Sequence, residues 1–132
     1  MPVKILEHTA DVRLKAWGNT FQGALLDLSN HMLGMVYSAS IQPELFLSSN
    51  VEYDSDENCV IRTLNDIIYR SESDSLALKI RKITICDRKV IWEAVGEKAD
   101  ARKRGPSLVK AATYDRIIVS RVPAVIVVTL DI

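Results

Sequence analysis

Near the end of the chain four β-branched and aliphatic residues, Val125-Ile126-Val127-Val128, follow one another with no polar residue between them. Such a run has no face to give to water, so it reads as a strand buried on both sides. A strand of that kind must lie inside a sheet that other elements cover, and the rest of the chain has to supply those elements. Counting by twos, Val127, Thr129 and Asp131 fall on one side, and Val128, Leu130 and Ile132 on the other. Asp131 then stands where a core strand ends. Its neighbour Ile132, last in the sequence, carries an α-carboxylate, which sets two anionic groups within a residue of each other.

The covering elements are legible by their periods. Residues 2–6 read as an opening strand, and Val12, Leu14 and Ala16 alternate with Arg13, Lys15 and Trp17 as a half-buried strand does. Asn19-Thr20 offers a helix N-cap, after which Phe21, Ala24, Leu25, Leu28, Met32, Met35 and Val36 recur at helical spacing. His31 lies off that stripe with Asn30 and reads as a solvated or capping residue rather than a ligand. Residues 38–50, with Pro43 and Ser48-Ser49-Asn50, read as irregular chain, and residues 51–53 as a short strand or a lead into the next helix. Asp54-Ser55-Asp56-Glu57 could suggest a cation loop, but the EF-hand spacing and its central glycine are absent. It reads as the cap of a second helix striped by Val60, Ile61, Leu64, Ile67 and Ile68.

From Leu76 onward the pattern is of strands. Leu76, Leu78 and Ile80 alternate, then the phase slips to Ile83 and Ile85, which predicts a β-bulge or change of face across Arg81-Lys82. Asp87-Arg88 predicts a tight turn into residues 89–96, where Val90, Trp92 and Ala94 share a face. Residues 97–107 read as a polar loop with Lys98, Arg102, Lys103 and Arg104, closed by Gly105-Pro106; it suits either a solvated loop or contact with phosphate or an acidic protein surface. Residues 108–119 and 122–132 complete a strand pair, with Pro123 tolerated at a strand start. Helices followed by an antiparallel run give the class: α+β, a single domain over residues 1–132, with two amphipathic helices packed on a largely antiparallel, twisted sheet system of the two-layer sandwich type.

Composition excludes several function classes. Seventeen basic residues balance seventeen acidic ones, so whole-chain charge points to no nucleic-acid partner, and an electrostatic signal has to be local. No apolar run approaches the roughly 20 residues of a membrane span, and the N-terminus lacks a basic lead into an apolar stretch. A cytoplasmic protein without membrane association is expected. Cys59 and Cys86 lack metal-ligand spacing and read as buried free thiols. There is no glycine-rich phosphate loop and no nucleophile elbow.

What remains is oxygen chemistry. Glu7-His8-Thr9-Ala10-Asp11 packs acids, a base and a hydroxyl between two strands, where a polar turn and a ligand site are both open readings. Glu7, Asp11, Asp131 and the terminal carboxylate are hard donors, suited to calcium, magnesium or manganese. Spacing alone does not say whether the two ends of the chain meet.

The stretch Glu7-His8-Thr9-Ala10-Asp11, the pair Gly96-Glu97 before a polar loop, Val109-Lys110-Ala111-Ala112-Thr113-Tyr114, and the closing Val128-Thr129-Leu130-Asp131-Ile132 together resemble the archease family in order, spacing and total length. The resemblance implies a small metal-binding accessory protein, not itself an enzyme. Its partner would be the GTP-dependent ligase that joins tRNA exon halves, whose guanylylation and multiple turnover it promotes. By the matching motifs, Asp11 and Asp131 would hold a divalent cation with a main-chain or terminal oxygen of Ile132; calcium is the ion expected in a structure, magnesium or manganese the alternatives. Lys110 matches a lysine implicated in activity, with Glu7 and His8 as nearby supporting residues. Gly105 and Asp115 stand where the family often has histidines, so no histidine role is expected there. Two other classes stay open. One is a metal-dependent phosphoester hydrolase, against which the lack of a base beyond His8 counts. The other is an RNA-binding or chaperone module using Lys98, Arg102, Lys103 and Arg104, marked by RNA affinity that falls steeply with salt without the ligase; in the archease reading any tRNA contact is weak or indirect.

Overall fold

The structure is a computed structural model that describes residues 2–8, 11–37, 40–99 and 108–132, with only the backbone of Glu7 and His8 included. Among these residues the order is β1 (Val3–His8), β2 (Asp11–Gly18), α1 (Phe21–Val36), β3 (Leu45–Glu52), α2 (Asp56–Ser73), β4 (Leu76–Cys86), β5 (Lys89–Lys98), β6 (Ala111–Ser120) and β7 (Ala124–Asp131). The strands form two antiparallel sheets, one in the order β1-β2-β7-β6 and one in the order β3-β5-β4. Each helix contacts strands of both sheets, which is the α+β architecture expected.

The apolar run is buried as its composition requires except at Val125, which is half-buried. β7 lies inside the four-stranded sheet, and Ile126, Val127, Val128, Thr129 and Leu130 are all buried. Val12, Leu14 and Ala16 of β2 are fully buried beside it. The α1 stripe of Phe21, Ala24, Leu25, Leu28 and Met32 and the α2 stripe of Val60, Ile61, Leu64 and Ile67 close over this core. The Thr20 hydroxyl accepts from the Gly23 amide at 3.0 Å and the Ser55 hydroxyl from the Asn58 amide at 3.1 Å, so the side chains read as caps are caps.

The slip in β4 is a register shift between Ile80 and Lys82. Beside it, on the open edge of β4, the Asn30 side-chain amide of α1 donates to the Ile80 carbonyl at 3.0 Å, and its oxygen accepts from the Ile80 amide at 2.8 Å. One side chain thus stands in for the neighbour that an edge strand lacks. Asn65 on α2 does the same for Ala112 of β6, at 3.1 and 2.7 Å. The Asp87-Arg88 turn has both residues in the left-handed region, at φ 51° and 59°, as a two-residue hairpin of the favoured hand demands.

Three expectations are corrected. β5 runs on to Lys98, so Glu97 and Lys98 belong to a strand and not to the polar loop. The stretch taken as irregular contains β3, which runs through Ser48-Ser49-Asn50; alternate residues Leu45, Leu47, Ser49 and Val51 face inward, and Ser49 is satisfied there by donating to Asp66 at 2.8 Å. Trp92, fully buried, donates its indole N–H to the same carboxylate at 2.9 Å. Cys86 is not a buried thiol but exposed at the hairpin, donating to Asp87, whose acceptor oxygen and charge hold the thiol above its usual range. Cys59 is buried as expected, and burial pushes its thiol up to about 11.

Candidate metal centre

Antiparallel pairing of β2 with β7 makes Asp11 and Asp131 direct cross-strand partners. Both therefore project from the same side of the sheet, and in such pairs the Cβ atoms stand about 5 Å apart. The side is the outer one, since Val12 and Leu130, next along each strand, are buried in the core. Both aspartates are exposed, and among the described residues neither carboxylate joins an ion pair. The opening cluster and the closing residues of the sequence thus meet at one end of the four-stranded sheet.

The neighbours arrive by register. Ala111 pairs Asp131 from the other side, and the Lys110 amide donates to the Asp131 carbonyl at 2.7 Å, which fixes the exposed Lys110 beside the pair. Ile132, partly buried, follows Asp131 directly. In β1 the backbone of His8 pairs Val12 and that of Glu7 pairs Arg13, so both residues lie one strand away from Asp11. Lys98 is at the far end of β5, where its ammonium donates to the Asp74 carbonyl at 3.3 Å, closing the end of α2. Arg102, Lys103, Arg104 and Gly105 lie outside the described residues. His31 is half-buried on α1, away from the aspartates, and burial lowers its pKa.

One feature beside the pair was not legible in the sequence. Between Thr113, paired with Thr129, and Ile118, paired with Val127, β6 advances five residues while β7 advances two. The surplus, with Arg116 in the left-handed region at φ 51°, folds over the outer face. Thr129, 2% exposed, donates its hydroxyl to the Asp115 carbonyl at 2.9 Å, and Arg13 donates to the Arg116 carbonyl at 3.1 Å. The Thr113 hydroxyl donates to the Thr129 carbonyl at 3.0 Å. Arg13 and Thr129 are the next outward residues after Asp11 and Asp131, so this bulge walls one side of the aspartate pair. The only hint was a threonine and an arginine interrupting apolar strands.

Two carboxylates with a main-chain oxygen nearby are hard donors of the type that hold calcium, magnesium or manganese. They form a partial set: among the described residues no group of three or more histidine, cysteine or acidic side chains comes together as a metal site. Water or a partner's oxygens would complete the shell.

The sequence model of the Archease protein family (MTH1598/TM1083) matches residues 4–132. The chain belongs to the archease family. It is 28% identical over 123 residues to the protein archease of Pyrococcus furiosus, covering 89% of this chain and 87% of that one. It is 30% identical over 80 residues to the protein archease of Pyrobaculum neutrophilum, covering 60% of this chain and 54% of that one. Its archease fold is shared with protein 1598 of Methanobacterium thermoautotrophicum, solved in solution, with a TM-score of 0.81 at 17% identity over 98% of each chain. The crystal structure of an archease from Thermotoga maritima, described as a possible chaperone, superposes with a TM-score of 0.65 at 20% identity, over 97% of this chain and 94% of that one. No helix among the described residues is long and apolar enough to cross a membrane.

Proposed function

We propose that this archease is a non-enzymatic accessory protein that activates a tRNA-splicing RNA ligase by promoting its guanylylation and multiple turnover. The observation that carries this reading is the Asp11–Asp131 register pair, which presents two exposed carboxylates, neither in an ion pair among the described residues, at one end of the four-stranded sheet. Asp11 and Asp131 would hold a divalent cation with a main-chain oxygen of Ile132, and calcium, magnesium or manganese all suit that donor set. When bound, the ion would supply positive charge where a partner enzyme handles phosphates. The protein's own contribution is placement. β2 and β7 fix the two carboxylates, the β6 bulge walls the pair, and Lys110 stands beside it as a cation for an anionic group on the partner. A ligand shell of so few protein oxygens binds weakly, which suits transient engagement of a partner rather than permanent retention of an ion.

The test is guanylylation of the cognate ligase by GTP, with and without this protein and across calcium, magnesium and manganese. Asp11→Ala and Asp131→Ala, each shown to be folded, are expected to lose most of the stimulation. Undiminished stimulation by both variants would overturn the reading.

A further inference from the structure

At the opposite end of β2 from the aspartate pair, about 20 Å along the strand, the same outer face carries a different chemistry. The β1–β2 register sets Lys4 directly opposite Lys15, and Trp17 is the next outward residue along β2, about 7 Å from Lys15. Lys4, Lys15 and Trp17 line an open cleft of about 440 Å³, with Gly18 and residues 123–125 completing its walls. That volume lies within the range of small-ligand sites.

Three properties of this cleft point to one ligand chemistry. Like charges placed directly opposite on neighbouring strands repel, and among the described residues no carboxylate pairs with either lysine. The cation pair therefore gains from an anion. Trp17 is 43% exposed, whereas Trp92, the other tryptophan, is fully buried, so the cleft holds a large aromatic face open to solvent. An open aromatic side chain thus lies beside two cations on one face of the sheet, and base–aromatic stacking together with a cationic track is how single strands are held without sequence preference. A purely apolar partner surface would cover Trp17 and Val125 but would bury two unpaired ammonium groups at a high cost. We propose that this cleft binds a single-stranded nucleic-acid segment, with a base stacked on Trp17 and its phosphates held by Lys4 and Lys15.

The site is separate from the aspartate pair, which lies at the other end of β2. The experiment titrates the full chain with a fluorescein-labelled single-stranded RNA octamer, reading anisotropy and tryptophan emission together. Because Trp92 is sealed in the core, quenching on binding reports Trp17. The expected result is saturable quenching, with affinity falling with salt at a log–log slope of about −1.4 for two phosphate contacts on a single strand. Trp17→Leu is expected to abolish the quench and weaken binding about tenfold. Lys4→Gln and Lys15→Gln are expected each to reduce the slope by about half, and Trp17→Thr, which also removes the ring, serves if the leucine variant does not fold. A duplex of the same length, whose bases cannot reach the indole, is expected to bind more weakly. Absence of binding, equal binding of duplex and single strand, or binding unchanged in the Trp17 and lysine variants would each overturn the proposal.

Discussion

Asp11 and Asp131 stand directly opposite each other on neighbouring strands, and like charges so placed are destabilising. Replacing one by its neutral isostere removes that repulsion. Asp131→Asn is expected to stabilise the metal-free protein by a few tenths of a kcal/mol at low salt, measured by urea denaturation, while losing the stabilisation that added divalent cation gives the unaltered chain. A loss of stability in the metal-free variant would show that Asp131 is a structural residue instead. His31 carries a second residue-scale consequence. Burial lowers its pKa below 6.5, so the folded protein binds fewer protons there than the unfolded chain. Its effect is absent above pH 6.5, grows as a destabilisation when pH falls below that value, and levels off below the folded pKa. Unfolding free energies at pH 7.5 and 5.5 are expected to differ less in His31→Gln than in the unaltered protein, and an unchanged difference would contradict this.

At the scale of elements, the helices do more than cover the sheets with apolar stripes. Asn30 and Asn65 each hand a strand residue both an acceptor and a donor, so α1 is tied to β4 and α2 to β6 by paired hydrogen bonds. Truncation leaves a strand N–H and carbonyl without partners at a part-buried site, which costs about 1–3 kcal/mol. Asn30→Ala and Asn65→Ala are each expected to lower stability by about 2 kcal/mol, and hydrogen exchange at Ile80 and Ala112 should rise in the corresponding variant; a change under half that size would contradict the account. These ties explain what the sequence could reveal and what it could not. Periodicity showed the α1 stripe and the phase slip in β4, but Asn30 sits off the stripe, and only the fold brings it to Ile80. β3 was hidden because its inward polar residue, Ser49, breaks the expected alternation, and the acceptor that makes that burial tolerable, Asp66, belongs to α2. The β6 bulge was hidden for the same reason: its supports, Arg13 and Thr129, come from two other strands.

For the whole molecule, the four-stranded sheet is the organising body, and the order β1-β2-β7-β6 joins the opening strands of the sequence to its last. The unbroken apolar run of β7 announced an interior strand, and the motif resemblance named Asp11 and Asp131 as partners; the register that makes them neighbours is a property of the assembled sheet. Gly96 shows the same dependence on the whole. A Cβ there would lie 2.4 Å from the Ala77 carbonyl oxygen, a backbone contact between β5 and β4 that no local pattern reveals. The central claim is that the closure of this sheet builds a cation site between β2 and β7. Paramagnetic broadening of backbone amide signals on adding manganese, followed by ¹H–¹⁵N NMR, tests it most directly. The account predicts broadening centred on Asp11 and Asp131 with Ala111 beside them, abolished in Asp131→Asn; broadening centred elsewhere, or persisting unchanged in that variant, would contradict it.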